Sequence, residues 1–465
     1  MALRFKNTYT RELEEFVPIE DGKVRMYTCG PTVYNFAHIG NFRTFMFEDL
    51  LRRYLKFKGF NVDQVMNITD IDDKIIRDSI KQGKKLKEFT EPYTKAFFED
   101  IETLGMERAD HYPHATDFIP QMVEIVKKLK ERGLAYEVDR NYYFKISAFK
   151  DYGKLAHLDM EGLKPGARVA ADEYAKDSVS DFALWKAWDE KDGEIYWETD
   201  IGKGRPGWHL ECSAMSMNIL GEHFDIHTGG VDNMFPHHEN EIAQSEGATG
   251  HKFVNYWMHS EYLIVEGKKM SKSLGNFYTL RDILDKGYSG KVVRYVLIST
   301  HYRQQLNFTF DSLEAARSAL ERYNDFIANL DSYSGGKSDG SANEILHKTR
   351  RDFEAALDDD LNISGALGAV FDFIRDINRL KAEDKLSKEE KEKALELIRK
   401  FDTVLNFTTG KEVSLDLQVE ALIQKRNDAR KSKDFATSDK IRDQLVGMGI
   451  ILEDTPQGVR WKRKV

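Results

Sequence analysis

Two cysteines, two adjacent histidines and a glutamate are the residues of this chain best suited to hold a metal ion. Cys29 and Cys212 are its two cysteines, and both lie in polar, glycine-containing segments instead of apolar runs. In a helix, His237 and Glu241 share a face at i and i+4, and His238 converges on Glu241 at i+3. Spacing therefore leaves the choice of histidine open. Because thiolates, imidazoles and carboxylates are the ligands that tetrahedral zinc prefers, the pattern predicts a zinc site.

Both cysteines also allow interpretations without a metal. A thiol inside a protein is often a small buried apolar group with no chemistry of its own. A disulfide between Cys29 and Cys212 is a second alternative, although disulfides are uncommon in an intracellular setting. The polar surroundings of both residues favour metal ligation over these alternatives.

A strand-to-helix junction between Met26 and Arg43 has the form of a nucleotide site. Residues around Met26 alternate as in a strand, and an amphipathic helix begins near His38. Free backbone N–H groups and the positive end of a helix bind phosphate at such a junction. Gly40 leaves out the side chain that would obstruct a ligand. The alternative is an ordinary turn that happens to contain a histidine.

The segment from Gly267 to Asn276 is a second candidate for phosphate binding. It holds three lysines and two serines between glycines, without apolar periodicity. Lysine binds phosphate as a mobile point charge, and hydroxyl groups donate hydrogen bonds to it. A solvated surface loop is the ordinary interpretation of such a charged run, but the junction at His38 supplies the other half of a phosphate site.

Taken together, these motifs resemble the class I aminoacyl-tRNA synthetases. The run that starts at Pro31 ends in His38-Ile-Gly-Asn41, and the charged loop contains Lys269-Met-Ser-Lys-Ser273; these are similar to the two signature sequences of that class. Four further segments narrow the resemblance to the cysteinyl-tRNA synthetase family over nearly the whole chain: Tyr27-Thr-Cys-Gly-Pro-Thr-Val-Tyr34, Asn67-Ile-Thr-Asp-Ile-Asp-Asp-Lys-Ile-Ile76, Gly204-Arg-Pro-Gly-Trp-His-Leu-Glu-Cys-Ser-Ala-Met215 and Phe235-Pro-His-His-Glu-Asn-Glu-Ile-Ala243.

The resemblance implies the metal ligands and the reaction. It assigns one Zn²⁺ to Cys29, Cys212, His237 and Glu241, and it leaves His209 beside the metal instead of on it. ATP, with Mg²⁺, is expected to activate L-cysteine to cysteinyl-adenylate, from which the cysteinyl group passes to tRNA(Cys). Our hypothesis is that the substrate thiolate joins the zinc. Because a hydroxyl is a much poorer zinc ligand, serine would be rejected without a separate editing domain.

The same resemblance gives further residues their expected roles, and the first four of them are the expected catalytic residues. These are His38 and Asn41 at the phosphates, Lys269 and Lys272 at the departing pyrophosphate, Gly40 and Gly230 where adenosine approaches, Asp232 at the ribose, and Gly30, Thr69 and Trp208 around the amino acid.

Two positions depart from the family pattern. Asn41 stands where the family commonly has histidine, and Thr228 stands where a glycine is common. An asparagine donates hydrogen bonds but carries no positive charge. We expect altered rate constants and the same reaction.

The role of Asp232 has an alternative. The segment Gly229-Gly-Val-Asp232 could be a plain turn that does not bind ribose.

The elements that must position these residues alternate as strand and helix in the N-terminal part, which predicts a doubly wound parallel sheet. The predicted fold is therefore α/β, a split Rossmann-like nucleotide-binding domain with an inserted connective domain, followed by an α-helical bundle and a small C-terminal α+β module. The predicted boundaries are 1–118 and 206–262 for the nucleotide-binding domain, 119–205 for the insertion, 263–311 for the region with the charged loop, 312–410 for the helical bundle, and 415–465 for the terminal module. The resemblance implies that these are, in the same order, the catalytic domain, the connective peptide, a stem-contact region, a tRNA-binding bundle and an anticodon-recognition module.

Length and charge limit the remaining possibilities. A chain of 465 residues predicts two to four domains. The net charge of -9 argues against general nucleic-acid binding, whereas residues 420–465 carry eleven Lys or Arg against seven Asp or Glu. There is no apolar stretch of membrane-spanning length and no apolar core of a signal peptide, so we expect a cytoplasmic protein without a membrane partner. The resemblance implies a monomer.

Two other functions compete with this interpretation. An ATP-dependent cysteine ligase of low-molecular-weight thiol synthesis would resemble the catalytic half, but it gives no purpose to residues from about 312 to the end. A non-catalytic RNA-binding protein with a structural zinc would fill all four ligand positions permanently. It leaves the loop from Lys269 to Ser273 unexplained.

Overall fold

The structure, a computed structural model, describes residues 2–158, 181–408, 419, 422–423, 425–430, 434–455 and 458–463. The parts of the predicted connective, bundle and terminal segments that fall in the gaps lie outside the described residues. Within the described ranges, no helix has both the length and the apolar character that a membrane span requires.

Sixteen strands and fourteen helices are named along the described part of the chain. The strands are β1 Arg4–Lys6, β2 Leu13–Glu15, β3 Lys23–Thr28, β4 Asn61–Met66, β5 Ala135–Val138, β6 Asn141–Phe144, β7 Phe182–Ala187, β8 Trp197–Thr199, β9 Gly202–Pro206, β10 Phe224–Gly230, β11 Val254–Ser260, β12 Leu263–Val265, β13 Lys268–Lys269, β14 Leu306–Phe308, β15 Ile450–Thr455 and β16 Gly458–Arg463. The helices are α1 Ile39–Phe57, α2 Asp73–Lys81, α3 Leu86–Thr103, α4 Ile119–Glu131, α5 Trp208–Leu220, α6 Val231–Asn233, α7 Glu239–Thr249, α8 Leu280–Leu284, α9 Gly290–Ser299, α10 Phe310–Asp331, α11 Ser341–Asp358, α12 Ile363–Ala382, α13 Lys388–Leu405 and α14 Phe435–Gly447.

A parallel sheet with the strand order β11-β10-β3-β4 organises the N-terminal half. Met26 of β3 lies between Ile226 of β10 and Gln64 of β4. From β3 the chain crosses through α1 to β4 on one side, while β10 and β11 are added on the other side. The point where the order reverses therefore lies between β3 and β10, and ligands bind at such a point in open α/β sheets. The predicted α/β class and Rossmann-like sheet are confirmed.

A second sheet, with the order β5-β6-β7-β9-β8, lies between the two halves of the first in the chain. The sequence of residues 136–146 predicts a hairpin around Asp139, which is present as β5 and β6, with Asp139 and Arg140 at positive φ in the turn. The following region up to Arg205, whose sequence shows no strong period, contributes the strands β7 to β9. β7 is buried along nearly its whole length, so both of its faces are apolar or paired and its sequence shows no alternation.

The C-terminal helices α10 to α13 form the predicted bundle, and α11 and α12 are separated at residues 359–362, where the apolar pattern of the sequence is interrupted by aspartates. The apolar stripe that starts at Leu313 predicts a helix cap at Asp311 or Ser312, and this prediction was wrong for α10. Thr309 caps the helix by accepting a hydrogen bond from the Ser312 backbone at 3.0 Å, and Ser312 Oγ accepts one from Thr309 N at 3.2 Å. The helix therefore begins earlier, through a capping box.

The terminal module contains α14 and the antiparallel hairpin β15–β16. Trp461 packs against a small apolar cluster that includes Ile441, Leu445 and Ile450. A tryptophan among basic residues near the end of the chain suits either stacking on a nucleic-acid base or packing in a small core, and the structure supports packing.

One continuous apolar core joins the parallel sheet to the bundle. It includes Phe42 of α1, Leu297 of α9 and Leu320 of α10, all buried. At the same junction, Arg294 pairs with Asp49 at 2.7 Å, and both side chains are almost completely buried. Burial would raise the pKa of Asp49, but Arg294 and Arg53 hold that pKa below its ordinary value.

Removing the charge of Asp49 is expected to destabilise this junction strongly. In Asp49→Asn the buried guanidinium of Arg294 loses its carboxylate, which costs about 3 kcal/mol of unfolding free energy. Urea denaturation measures the loss. Asp372→Asn is the matched control, because its pair with Arg375 is exposed and its loss should not be measurable. Equal stability of the two variants would contradict the role given to the buried pair.

Candidate functional site

A cleft of about 1020 Å³ opens at the carboxyl ends of β3 and β10. Its wall includes the start of α1, the N-terminal residue of α5, and the loop after β12. Cys29 and Gly30 contribute from the β3 end, Trp208 from α5, Asp232 from α6 and Lys269 from β13. The strand-order reversal thus gathers residues that are more than two hundred positions apart in the chain.

The four predicted zinc ligands converge beside this cleft. One donor atom from each of Cys29, Cys212, His237 and Glu241 lies within 4.8 Å of the others, and all four residues are buried. Cys212 Sγ is 3.5 Å from His237 Nε2, which is itself 3.2 Å from Glu241 Oε1. The helical turn Met234–His238 leads directly into α7 and so places the His237 side chain next to that of Glu241.

A second set of four donors overlaps the first. Cys29, His227, His238 and Glu241 also lie within 4.8 Å of one another. Cys29 Sγ is 3.2 Å from His238 Nε2, and His227 Nε2 is 2.9 Å from Glu241 Oε2. The geometry alone, like the sequence spacing, does not choose between His237 and His238. The two sets share Cys29 and Glu241, and Cys212 belongs only to the set that contains His237.

The donor groups fit a soft divalent cation. Glu241 Oε1 is buried and accepts no hydrogen bond from the described residues. Burial raises the pKa of Glu241 to about 7 and lowers that of His237 to about 3. The hydrogen bond with Cys29 and burial raise the pKa of Cys212 well above its ordinary value. The hydrogen bond with Cys212 lowers the pKa of Cys29, but burial and the charge of Glu241 together outweigh it, so the pKa of Cys29 lies above its ordinary value. A bound cation converts such crowded thiols to thiolates.

Further histidines hold this cluster in place. His209 Nδ1 lies 2.8 Å from His237 Nδ1, and His238 Nδ1 lies 2.8 Å from His259 Nε2. Hydrogen bonds to the second ring nitrogen orient an imidazole ligand. The prediction that His209 lies beside the ligands agrees with this placement. His227 and His259 were missed, although both stand on strands that end at the cleft.

His38 and Asn41 form a capping box at the start of α1. Asn41 N donates to His38 Nδ1 at 3.1 Å, and His38 N donates to Asn41 Oδ1 at 3.1 Å. Because Nδ1 accepts this bond, Nε2 carries the proton of a neutral His38. Both residues line the cleft, so the helix end and its positive partial charge face the cavity.

Glycine is required at the cleft wall for reasons that differ between positions. A Cβ on Gly40 would lie 2.9 Å from His38 Nδ1, so the small residue protects the capping geometry. A Cβ on Gly30 would lie 1.8 Å from the Asn67 carbonyl oxygen, and one on Gly230 would lie 2.3 Å from Asp232 Oδ1. In the structure, these glycines therefore allow the protein's own groups to approach.

The residues predicted around the amino acid take two kinds of position. Trp208 is 44% exposed and stacks on His237, with ring centroids 4.3 Å apart and an interplanar angle of 19°. Thr69 is buried, and its backbone pairs with Thr32 of the cleft wall. Trp208 thus faces the cavity beside the metal cluster, while Thr69 lies behind the wall.

The charged loop at residues 268–276 is organised by Asn276. Its Oδ1 accepts from Ser271 N at 2.9 Å, and its Nδ2 donates to the Lys269 carbonyl at 3.2 Å. Lys269 is exposed and lines the cleft, as predicted. Lys272 begins the short helix Lys272–Leu274, but its side chain lies outside the described residues.

Seven charged residues of the cleft wall were not predicted as site residues, and four of them, Asp73, Lys186, Arg205 and Glu211, lie at the α2 and α5 side. Asp73 pairs with Lys186 at 2.9 Å and with Arg205 at 2.6 Å, which ties α2 to the second sheet. Glu211 lines the cleft one position before Cys212. The lysine and arginine lie in the segment without a strong period, so no local pattern indicated where they would be placed.

Thr228 is accommodated by a buried partner. Its hydroxyl donates to Glu48 Oε1 at 2.8 Å, and both side chains are fully buried. Burial raises the pKa of Glu48 well above its ordinary value. The departure at this position is thus a packing arrangement between α1 and β10.

Comparisons with known proteins cover the whole chain. Three family models match in succession: tRNA synthetases class I (C) catalytic domain at residues 15–318, DALR domain at 352–408, and Cysteinyl-tRNA ligase anticodon binding domain at 412–461. A curated protein of Protochlamydia amoebophila, named cysteine–tRNA ligase, is 53% identical over 470 residues, which are 100% of this chain and 98% of that protein. A protein of the same name from Brachyspira hyodysenteriae is 50% identical over 99% of each chain.

Solved structures give the same fold at low identity. Mycobacterium tuberculosis methionyl-tRNA synthetase in complex with methionyl-adenylate is similar with a TM-score of 0.60 and 14% identity, over 83% of this chain and 90% of that one. The LeuRS-tRNA-LeuAMS ternary complex of Agrobacterium radiobacter K84 is similar with a TM-score of 0.61 and 12% identity, over 84% and 85%. These likenesses concern the fold alone.

Proposed function

This chain belongs to the cysteine–tRNA ligase family, and from that premise we propose that it activates L-cysteine with ATP and transfers it to tRNA(Cys). The observation that carries the proposal is one cleft with two chemically different ends. Buried sulfur, imidazole and carboxylate donors lie at one end, and the capped start of α1 with Lys269 lies at the other. Such a cleft suits a thiol-bearing substrate and a nucleotide that react between its ends.

We propose that Cys29, Cys212, His237 and Glu241 hold one Zn²⁺. When bound, zinc supplies a Lewis acid that a thiolate ligates and a hydroxyl does not match. Selection of cysteine over serine would otherwise depend on one atom of difference, which a pocket distinguishes poorly. Trp208, stacked on His237, then covers the amino acid on its cleft side.

For the first step, we propose that the cysteine carboxylate attacks the α-phosphorus of ATP and pyrophosphate leaves. Positioning and charge stabilisation dominate such transfers, so the protein needs no covalent intermediate. His38 Nε2 donates to a phosphate oxygen, while Lys269 and Lys272 stabilise the departing pyrophosphate. Asp232 accepts from the ribose, and Mg²⁺ accompanies the nucleotide.

In the second step the cysteinyl group passes to tRNA(Cys), and we propose that the domains contribute to it as predicted. Residues 1–118 and 206–262 form the catalytic domain, 119–205 form the connective peptide, 263–311 contact the stem, 312–410 bind tRNA, and 415–465 recognise the anticodon. The excess of basic residues after 420 supports RNA contact there. We also propose a cytoplasmic monomer of 53.8 kDa, which light scattering in solution would check.

The cysteine ligase of thiol synthesis is not favoured. Relatives named cysteine–tRNA ligase match this chain over its full length, including the residues that such a ligase would not need. A non-catalytic RNA-binding protein with a structural zinc is not favoured either, because the family model that matches residues 15–318 describes a catalytic domain.

Cysteine-dependent exchange of pyrophosphate into ATP tests the function. We expect exchange with L-cysteine and about a hundredfold less with L-serine, because one missing zinc–thiolate bond separates the two substrates. Chelation should abolish exchange and added Zn²⁺ should restore it. Charging of total tRNA with cysteine then tests the second step. Exchange that is equal for both amino acids would overturn the proposal.

Two substitutions of Asn41 should separate helix capping from phosphate contact. Asn41→Asp keeps the acceptor for His38 N but adds a negative charge beside the phosphates, so exchange should fall by about a hundredfold. Asn41→Ala removes the acceptor without adding charge and should cost about tenfold. Steady-state exchange with varied ATP measures both. A larger loss in the alanine variant would show that capping alone explains the residue.

A further inference from the structure

Helix α5 presents three residues to the same region of the site. Trp208, Glu211 and Cys212 stand at i, i+3 and i+4 and therefore share one face. Trp208 and Glu211 line the cleft, and Cys212 belongs to the metal cluster. Glu211 is the member of this face to which the proposed reaction gives no task.

Glu211 is a buried carboxyl group with an unused acceptor. The residue is 1% exposed, and its Oε2 makes no hydrogen bond with the described residues. The Thr69 hydroxyl accepts from Asn67 Nδ2 at 2.9 Å. Burial raises the pKa of Glu211 well above its ordinary value, and a side-chain hydrogen bond with Thr69 opposes that rise. Leaving a buried acceptor unpaired is costly, so such an atom commonly marks the place of a missing partner.

The other acidic residues near Glu211 already have partners. This contrast singles out Glu211 as the acceptor available to a ligand. Asp70 accepts from Thr116 N and Oγ1, Asp72 accepts from Ile75 N, and Asp73 pairs with Lys186 and Arg205.

The substrate of the proposed reaction has one charged group without a site. Its thiol is directed to the metal cluster and its carboxylate to the phosphate end of the cleft. The remaining group is a primary ammonium, which needs acceptors and a negative charge within a short distance. Because Trp208, Glu211 and Cys212 share one face of α5, we expect a group on the carbon between the thiol arm and the carboxylate to come within reach of Glu211.

We propose that Glu211, with the Thr69 hydroxyl beside it, forms the subsite for the α-ammonium group of the substrate amino acid. The inference rests on the proposed function and adds to it a determinant for the amino group. It also gives Thr69 a role although its side chain lies behind the cleft wall, because Thr69 would hold the Glu211 carboxyl in place. The site thus selects for sulfur at one end and for an α-amino group at its side.

Binding of two ligands that differ only in this group provides the test. 3-Mercaptopropionate is cysteine without its amino group. Calorimetry on the metal-containing full chain should give wild-type protein at least about tenfold tighter binding of L-cysteine than of 3-mercaptopropionate, as one charge-assisted bond provides. In Glu211→Gln, affinity for cysteine should fall by about tenfold or more, and affinity for 3-mercaptopropionate should stay within about twofold.

Controls separate this result from a loss of structure or of the function itself. Glu48→Gln replaces another fully buried carboxyl group of the same domain, away from α5, and should leave the ratio of the two affinities unchanged. Metal content checks folding, and Glu211→Asp provides a second variant that keeps the charge and should retain part of the preference for cysteine. Equal losses for both ligands, or no loss for cysteine, would overturn the ammonium subsite while leaving the function standing. Absence of cysteine binding by the wild-type protein would instead overturn the function.

Discussion

Replacing Cys212 with serine is expected to remove the bound metal and to lower cysteine-dependent pyrophosphate exchange by about a thousandfold. Serine keeps the size of the side chain, but its hydroxyl does not ionise as a thiol does and binds zinc poorly. A loss of several kcal/mol in substrate stabilisation corresponds to a rate loss of about this size. Elemental analysis of purified protein measures the metal, and exchange kinetics measure the activity.

The same substitution decides between the two sets of donors at the site. Cys212 belongs to the set with His237 and is absent from the set with His227 and His238. Ser216→Ala is a matched control, because Ser216 is buried on the same helix four residues further on and should keep about one metal ion per chain. If Cys212→Ser retained its zinc while His238→Gln lost it, the proposed ligand set would be wrong and the alternative set would hold the metal.

In the proposed function, the position of the cluster places sulfur selection and catalysis in one cleft. Cys29 follows the last residue of β3, and the start of α1 lies at the same edge of the sheet. The two ends of the site are thus fixed by consecutive elements of one strand–helix unit. Under this proposal, a substrate held by its thiol at the β3 end would direct its carboxylate along the junction toward the helix end, where phosphate binding is favoured. Binding that holds the carboxylate close to the phosphate site would also orient the two reacting groups for the transfer.

Residue types and spacing were sufficient to predict the parallel sheet and the edge of it at which the candidate site lies. The alternation around β3, α1 and β4 has the period of a doubly wound fold, and the glycines and histidine at the junction mark its ligand-binding edge. The bundle helices followed from apolar periodicity. Each of these features is local in sequence, so short patterns contain the information.

The features that the sequence did not predict depend on contacts between distant segments. Strand β7 has no alternation because both of its faces are covered, and Lys186 within it is paired with Asp73 of another domain segment. The choice between His237 and His238 cannot be read from i+3 and i+4 spacing, because the turn before α7 brings both near Glu241. Glu211 has the sequence context of an ordinary helix residue, and only its burial and its unpaired oxygen in the fold distinguish it.

The loop after β12 is expected to act on the nucleotide and not on the amino acid, and Lys269→Ala tests this division. Lys269 is exposed at the cleft, on a different part of the cavity wall from helix α5, which carries Cys212 of the metal cluster. Loss of one cationic donor to a developing phosphate charge typically costs about a hundredfold to a thousandfold in rate. We therefore expect pyrophosphate exchange to fall by about that factor, while the calorimetric affinity for cysteine changes by less than about twofold. Lys272→Ala should behave in the same way.

Lys268 offers a control of the same charge at the adjacent position. The two lysines form β13, and successive side chains of a strand point to opposite sides, so Lys268 does not share the cleft-facing position of Lys269. Lys268→Ala should keep exchange within about twofold of wild type. If both alanine variants lost activity equally, general positive charge on the loop would explain the effect. If Lys269→Ala weakened cysteine binding as much as exchange, the lysine would be part of the amino-acid site. A loss confined to exchange and to Lys269 is the result that a specific contact with the departing pyrophosphate requires.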